Sequence, residues 1–166
     1  MRLRIEVNVS RCAGCRYCEL WCSYSHEGVF SLSLSRITIV KDDLLGMDVP
    51  VVCRQCDPAP CMEACPTGAI KRENGVLVVS AEECTGCGEC VRACPFGAVK
   101  LHVRTKVALI CDLCGGDPVC IAKCPTNALS LSNLSDIEPN GSGSREYEYA
   151  LRLHKNLARE WGINVR

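Results

Sequence analysis

The sequence predicts an α+β fold in which short β-hairpins and short helices surround groups of cysteine side chains, followed by one longer C-terminal helix. Three observations lead to this fold class. Sixteen of the 166 residues are cysteine, and they fall into four groups with none left over. Short β-prone runs bounded by turn residues follow these groups. A stripe of apolar residues at helical spacing occupies residues 147–161.

The four groups of cysteines have the spacing of iron–sulfur ligands. The third group reads C-T-G-C-G-E-C-V-R-A-C-P and matches the bacterial ferredoxin run C-x2-C-x2-C-x3-C-P. Since four thiolates hold one [4Fe-4S] cluster, four groups predict four such clusters. In chain order, quartet one is Cys12, Cys15, Cys18 and Cys22; quartet two is Cys53, Cys56, Cys61 and Cys65; quartet three is Cys84, Cys87, Cys90 and Cys94; quartet four is Cys111, Cys114, Cys120 and Cys124.

Disulfides and zinc sites are the alternative uses of so many cysteines, and the sequence argues against both. The N-terminus has no apolar region typical of an export signal. The quartet spacing repeats four times, and three quartets end in Cys-Pro. Zinc sites use paired C-x2-C or Cys/His sets, whereas a C-x3-C step at the end of a quartet is typical of the helical turn in ferredoxins.

Composition and charge indicate a chain whose interior depends on its clusters. The hydrophobic fraction of 48% includes the cysteines, and without them roughly 39% remains, which is low for a conventional core. We therefore expect folding to be coupled to cluster binding. Nineteen basic and nineteen acidic residues give zero formal charge, which favours neither nucleic acid nor an anionic membrane as a partner. With no apolar run of membrane-spanning length, a cytoplasmic location is expected.

Each quartet predicts a loop that holds the first three cysteines, a helix of one or two turns before the fourth, and then a short strand. Asn74-Gly75 between two β-prone runs predicts a hairpin of residues 69–72 and 76–79. The other predicted elements are a second hairpin of 98–103 and 106–110, a lone strand at 128–131, a strand at 36–41 and an N-terminal strand over 3–9. We expect His102 and His154 to lie at the surface.

Residues beyond the last quartet are predicted to form a loop and a helix. Residues 132–144 are rich in turn formers, and Ser144 can cap a helix over 145–161. The apolar stripe of that helix packs either on the protein itself or on a partner subunit. The predicted organisation is a double cluster-binding body over 1–131, a linker over 132–144, and a C-terminal helix and tail over 145–166.

The spacing within a quartet has a chemical purpose. Small residues between the cysteines, such as Gly14, Thr85, Gly86 and Gly88, let backbone N–H groups approach the inorganic sulfurs. In two-cluster ferredoxins the fourth cysteine completes the other cluster, so quartets must pair and form two ferredoxin-like units. Spacing alone leaves the pairing scheme open. His26 is expected to form a hydrogen bond rather than bind iron, since no quartet lacks a cysteine.

Residues 8–131 resemble the electron-transfer subunits of molybdenum and tungsten oxidoreductases, which form the DMSO reductase iron–sulfur subunit superfamily. The resemblance lies in the four-quartet layout and in the motifs C-R-Q-C-D-P-A-P-C-M-E-A-C-P and C-D-L-C-G-G-D-P-V-C-I-A-K-C-P. The stretch C-E-L-W-C-S-Y-S-H-E-G-V-F and the later S-R-I are similar to the small polyferredoxins that accompany aldehyde ferredoxin oxidoreductase-type tungsten enzymes. In this superfamily quartet one pairs with four and quartet two with three.

This resemblance implies four ligand sets, each made of three cysteines from one quartet and the last cysteine of its partner. The sets are Cys12, Cys15, Cys18 with Cys124; Cys111, Cys114, Cys120 with Cys22; Cys53, Cys56, Cys61 with Cys94; and Cys84, Cys87, Cys90 with Cys65.

The resemblance further implies a non-catalytic electron-transfer subunit. It would pass electrons between a large tungsten or molybdenum pterin subunit that oxidises an aldehyde and a soluble carrier such as ferredoxin. The sequence has no nucleotide-binding fingerprint or nucleophile–base pair, and every cysteine is assigned to a cluster. Three alternatives stay open: a hydrogenase or formate dehydrogenase subunit, a free-standing polyferredoxin, and a structural metal-binding adaptor without a redox role.

Overall fold

The structure is a computed structural model, and it describes residues 2–43, 46–133 and residue 152. The strands are β1 (Leu3–Val7), β2 (Ile37–Asp42), β3 (Met47–Val52), β4 (Ile70–Glu73), β5 (Val76–Val79), β6 (Lys100–Leu101), β7 (Ala108–Leu109) and β8 (Leu129–Asn133). The α-helices are α1 (Tyr17–Glu27), α2 (Pro60–Glu63), α3 (Glu89–Ala93) and α4 (Val119–Ala122), and short 3-10 turns lie at Val9–Arg11, Leu32–Leu34 and Leu113–Gly116. This mixture of short helices and small sheets confirms the predicted α+β class.

The strands form two-stranded antiparallel sheets, and one of them joins the two ends of the cysteine-rich region. β1 pairs with β8, with Ile5 opposite Leu131. The prediction of a lone strand at 128–131 is therefore wrong, because its partner lies far away in the sequence. The observed strand β8 is longer than predicted and continues to Asn133.

The strand predicted at 36–41 is observed as β2, but its partner β3 was not predicted. The run D-V-P-V-V shows no polar alternation, because residues 49–52 are all buried. Pro50 lies opposite Ile39. Proline is tolerated here because a strand in a two-stranded sheet has an outer edge that needs no ladder hydrogen bond.

The two predicted hairpins differ in how well they match the structure. β4 and β5 pair as predicted, and Asn74 and Gly75 have φ of 49° and 87°, as a type I′ turn requires. β6 and β7 contain only two residues each. The reason is His102, which is buried, contrary to prediction; its Nδ1 accepts N–H bonds from Arg104 and Thr105 and so forms a turn where the strand was expected.

The helices place the quartets beside one another in pairs. α1, from quartet one, packs against α4 from quartet four, and α2 packs against α3. α1 is longer than the one or two turns predicted and ends where Gly28 adopts φ 70° and donates its N–H to the Tyr24 carbonyl. The predicted C-terminal helix over 145–161, its Ser144 cap and His154 lie outside the described residues.

The core is built as much from cysteine as from aliphatic side chains. Buried cysteines of all four quartets pack in one cluster with Ile5, Ile37, Leu77 and Val99, among others. In the part of the chain that the structure describes, no helix is long and apolar enough to cross a membrane. The division into a body, linker and tail stays a prediction.

Candidate metal centres

The structure brings the cysteines together in groups that mix two quartets, which we name A to D. Group A is Cys12, Cys15, Cys18 and Cys124; group B is Cys111, Cys114, Cys120 and Cys22; group C is Cys53, Cys56, Cys61 and Cys94; group D is Cys84, Cys87, Cys90 and Cys65. Within these groups the thiols affect one another's pKa values, and the cysteines of group D also line one cavity.

In groups A and B the first and fourth quartets meet. Burial, Asp48, Cys124 and Cys15 all raise the pKa of the Cys12 thiol. Burial likewise raises the pKa of Cys120, and among the thiols Cys22 adds most to that effect, followed by Cys114. Cys124 therefore lies beside quartet one, and Cys22 lies beside quartet four.

In groups C and D the second and third quartets meet. Burial raises the pKa of Cys61 to about 11, with contributions from Cys94 and Cys56. Burial also raises the pKa of Cys90 to about 11, where Cys84 and Cys87 contribute. A cavity lined by Cys65, Cys84, Cys87 and Cys90 brings the last cysteine of quartet two into group D.

Neighbouring groups lie close enough for their thiols to interact, and this gives the groups an order. Cys18 of A acts on Cys120 of B. Cys111 of B acts on Cys53 of C, and Cys61 of C acts on Cys90 of D. The four groups therefore follow one another as A, B, C and D. Of the sixteen cysteines only Cys15 and Cys87 are exposed, and they belong to the two end groups.

The most deeply buried thiols need a bound metal in order to lose their protons at neutral pH. Burial raises the pKa of Cys18 to about 12, and it raises the pKa of Cys53 and Cys111 further above the ordinary value of a thiol. Such thiols keep their protons at neutral pH unless a metal displaces them, because a buried thiolate lacks compensating charge. Four converging soft sulfur donors suit an iron–sulfur cluster.

The last cysteines of three quartets have a different environment. Burial acts to raise the pKa of Cys124, but hydrogen bonds from the Ala128 N–H, 3.2 Å from Sγ, and from Thr126 lower it overall. Thr67 and following backbone N–H groups similarly lower the pKa of Cys65 against the effect of burial. Cys22 follows the same pattern, with hydrogen bonds from His26 and from the Arg36 N–H. The chain after each of these three quartets thus stabilises a thiolate.

Two of the glycines singled out from the sequence lie in tight places. Gly86 has φ 68°, and a β-carbon on it would collide with the Cβ and carbonyl oxygen of Lys106. Gly14 has φ 59°, and its β-carbon would overlap the Asp48 carboxylate. Both ligand loops therefore pack so closely on a neighbouring strand or turn that only glycine fits at these positions. The sequence did not reveal this reason for the two glycines.

Gln55, within the C-R-Q-C motif, links groups B and C and was not predicted to matter. It is fully buried; its Nε2 donates to the Cys111 carbonyl at 2.6 Å, and its Oε1 accepts the Leu77 N–H at 2.8 Å. The side chain satisfies two buried backbone groups, one at Cys111 and one on β5. Nothing in local spacing marks such a long-range contact.

His26 forms hydrogen bonds, as the sequence analysis expected. Its Nδ1 donates to the Cys22 carbonyl at 2.8 Å, and its Nε2 lies 3.0 Å from Asp112. The bond to Asp112 is the main reason that the pKa of His26 rises to about 10. A protonated His26 therefore ties α1 to the turn after Cys111.

An exposed aromatic cluster surrounds the end of α1. Tyr24 stacks on Phe30 at 4.7 Å, and Trp21 meets both rings edge-on. The Lys123 ammonium lies 4.5 Å from the Trp21 ring centroid. Tyr17, Val29 and Leu32 extend this apolar surface.

Comparison with known proteins identifies the family. Residues 46–134, which include quartets two, three and four, match the family model described as 4Fe-4S dicluster domain. The chain belongs to the 4Fe-4S dicluster domain family. This confirms the predicted kinship with 4Fe-4S ferredoxin-like proteins, and it indicates [4Fe-4S] clusters as the cofactor of the cysteine groups.

Curated relatives of this dicluster protein come from an archaeon and a bacterium. It is 41% identical over 125 residues to the polyferredoxin-like subunit of aliphatic sulfonate oxidoreductase of Pyrococcus furiosus, covering 74% of this chain and 72% of the relative. It is 38% identical to the electron transport protein HydN of Escherichia coli, covering 81% and 90%. Protein NrfC of Escherichia coli is 36% identical, with 87% and 73% covered.

Among solved structures, the active site complex BamBC of benzoyl coenzyme A reductase with benzoyl-CoA aligns with 78% of the dicluster protein and 78% of that chain, at 24% identity and a TM-score of 0.48. The same complex with zinc aligns over 95% and 90%, at 22% identity and a TM-score of 0.49.

Proposed function

We propose that this protein is a non-catalytic electron-transfer subunit that holds four [4Fe-4S] clusters, one at each of groups A to D. The ordered succession of the groups, with an exposed cysteine at each end, is the observation that supports it most. When bound, such clusters accept and release single electrons, at potentials that span about −700 to +450 mV across the class.

The protein's own residues hold the sites in place and separate them from water. Each quartet contributes ligands to two groups, so the backbone fixes the distance between A and B and between C and D. Seven of the cysteines are buried, and Gln55 bonds the loop of group C to the Cys111 carbonyl of group B. The two exposed cysteines, Cys15 and Cys87, belong to the end groups, which supports entry and exit of electrons at opposite ends.

The two ends differ in ways that favour different partners. Beside group A the exposed aromatic cluster around Phe30 offers the apolar surface that permanent subunit interfaces use. Beside group D the exposed side chains are charged, among them Glu82, Glu83, Glu89 and Arg92, and charged surfaces suit brief encounters. We assign the A end to a large catalytic subunit and the D end to a soluble carrier such as ferredoxin.

The catalytic partner that we propose is a tungsten or molybdenum pterin enzyme of the aldehyde oxidoreductase type. The motifs within residues 18–30 support it, as does the relative named as a subunit of an oxidoreductase in Pyrococcus furiosus. The similarity to HydN, whose name states only electron transport, favours a second candidate, a carrier without a permanent catalytic partner or one serving another complex.

Anaerobic purification of the tagged protein from its own cells tests this function. We expect a large subunit containing tungsten or molybdenum to copurify, and we expect dithionite-reduced complex to transfer electrons to added oxidised ferredoxin. Phe30→Asp should release the large subunit, whereas Val103→Asp, which changes an equally exposed apolar residue on the β6–β7 turn, should retain it. A cluster-containing monomer that reduces ferredoxin alone would support the second candidate.

A further inference from the structure

Arg72 places a positive charge directly beside group C. This arginine lies on β4, and its guanidinium reaches back to the ligand loop, where Nη2 donates to the Cys56 carbonyl. Nη1 donates to the Gly75 carbonyl at 2.9 Å. Both acceptors are neutral, and within the described ranges Arg72 belongs to no ion pair. The charge is therefore held in place without a neighbouring carboxylate to offset it.

A second guanidinium faces the same group. Arg54 lies between Cys53 and Cys56 in the sequence, is buried, and sits 5.4 Å from the centroid of the Phe96 ring. Burial and Cys94 raise the pKa of the Cys56 thiol, and the positive charges of Arg54 and Arg72 act in the opposite direction. Both arginines thus favour negative charge at group C.

Several charged side chains near the other groups are arranged differently, because they are part of ion pairs. Asp48 beside group A pairs with Lys41, with Nζ and Oδ1 2.8 Å apart. Asp112 beside group B pairs with His26 at 3.0 Å. Arg92, which acts on Cys87 and Cys90 of group D, is exposed and pairs with Glu89. Lys100, which acts on Cys22 of group B, donates to the Thr38 hydroxyl at 3.0 Å instead of to a carboxylate. Arg72 differs from these side chains because it donates to the carbonyl of a ligand cysteine and belongs to no ion pair among the described residues.

We propose that Arg72 raises the reduction potential of the cluster at group C. Reduction adds one electron, supplied by the reductant, and no bond forms or breaks. The added negative charge would be stabilised by the fixed positive charge that Arg72 holds on the Cys56 loop. Cluster potentials respond to net charge and hydrogen bonding in this way. The inference rests on the proposed function, since it assumes a cluster bound by group C.

Two substitutions of Arg72 separate its charge from its hydrogen bonds. Arg72→Gln retains an N–H donor for the Cys56 carbonyl and removes the charge, while Arg72→Lys retains the charge. Arg92→Gln is the matched control, because it removes a cation near group D that is already paired. Each variant is loaded anaerobically, checked for iron, and titrated with dithionite while the electron paramagnetic resonance (EPR) spectrum is recorded. Cys56→Ser, which alters a ligand of group C, identifies the spectral component of that cluster.

We expect Arg72→Gln to shift the component that Cys56→Ser alters to a lower potential and to leave the other components in place. Arg72→Lys and Arg92→Gln should titrate like the unmodified protein. A fully loaded Arg72→Gln variant with unchanged potentials would overturn the inference, as would an equal shift in Arg72→Lys or in every component. If the unmodified protein showed no cubane EPR signal at all, the proposed function itself would fail.

Discussion

Cys124 ends the fourth quartet in the sequence, yet its thiol lies beside Cys12 of the first. In the same way, Cys22 ends the first quartet but raises the pKa values of Cys120 and Cys111 of the fourth. Two contacts bring quartets one and four together. β1 pairs with β8 and so joins the two ends of the cysteine-rich region, and α1 packs on α4. The last cysteine of a quartet therefore reports which quartets share a site.

Replacing Cys124 tests this arrangement. Cys124→Ala should remove or alter the same cluster as Cys12→Ala, with a loss of about four iron per chain in each variant. Cys114→Ala should alter a different cluster. The EPR spectra of the dithionite-reduced variants provide the comparison. If Cys124→Ala instead matched Cys114→Ala, the fourth quartet would bind a cluster by itself and the mixed groups would be wrong.

Among single residues, the sequence predicted that all sixteen cysteines are ligands of [4Fe-4S] clusters, because the spacing of the ligands is a local property of the chain. It also predicted a hydrogen-bonding rather than iron-binding His26. Gln55, Arg72 and the buried His102 were missed or misjudged, since each acts through a contact with backbone groups that spacing does not reveal. The resemblance, rather than the spacing, supplied the pairing scheme.

The elements between the cysteines are short because they only have to position loops. β4 and β5 were predictable from Asn74-Gly75, whose positive φ values are local properties. β3 and the partner of β8 were not predictable, because a short apolar run identifies neither its conformation nor its pairing. The length of α1 was missed although Gly28 is a common helix-ending residue.

Gly86 shows how closely a ligand loop and a turn are packed. Gly86→Ala should reduce the iron content by about four atoms per chain, because a β-carbon would push the Cys84–Cys87 loop away from Lys106. Gly68→Ala is the matched control: its φ of 67° imposes similar backbone strain, but no atom lies within 4 Å of the added carbon. Iron analysis of both purified proteins gives the result. Equal iron loss in the two variants would show that backbone strain, and not the contact, is responsible.

In the whole molecule the interior is organised around sulfur. Cysteines from every quartet share the central core with aliphatic residues. Burial raises the pKa of most of these thiols, so without metal they would stay protonated and the core would lose the clusters that these thiols surround. The composition predicted this dependence, since the aliphatic residues alone are too few.

Removing the clusters should therefore unfold the protein. After anaerobic oxidation and chelation of the iron, we expect far-ultraviolet circular dichroism to lose most of the α1 and sheet signal, as in small metal-dependent domains. Returning ferrous iron, sulfide and a thiol reductant should restore it. An apoprotein with an unchanged spectrum and a cooperative thermal transition would mean that the aliphatic core suffices.

Metal and sulfide analysis of the anaerobically purified protein tests the central claim most directly. Four cubane clusters require about sixteen iron and about sixteen acid-labile sulfide per chain, together with visible absorption that dithionite bleaches. Half of those amounts would leave two of the cysteine groups without a cluster. Zinc in place of iron, with no labile sulfide, would contradict the account and make the protein a structural metal-binding adaptor.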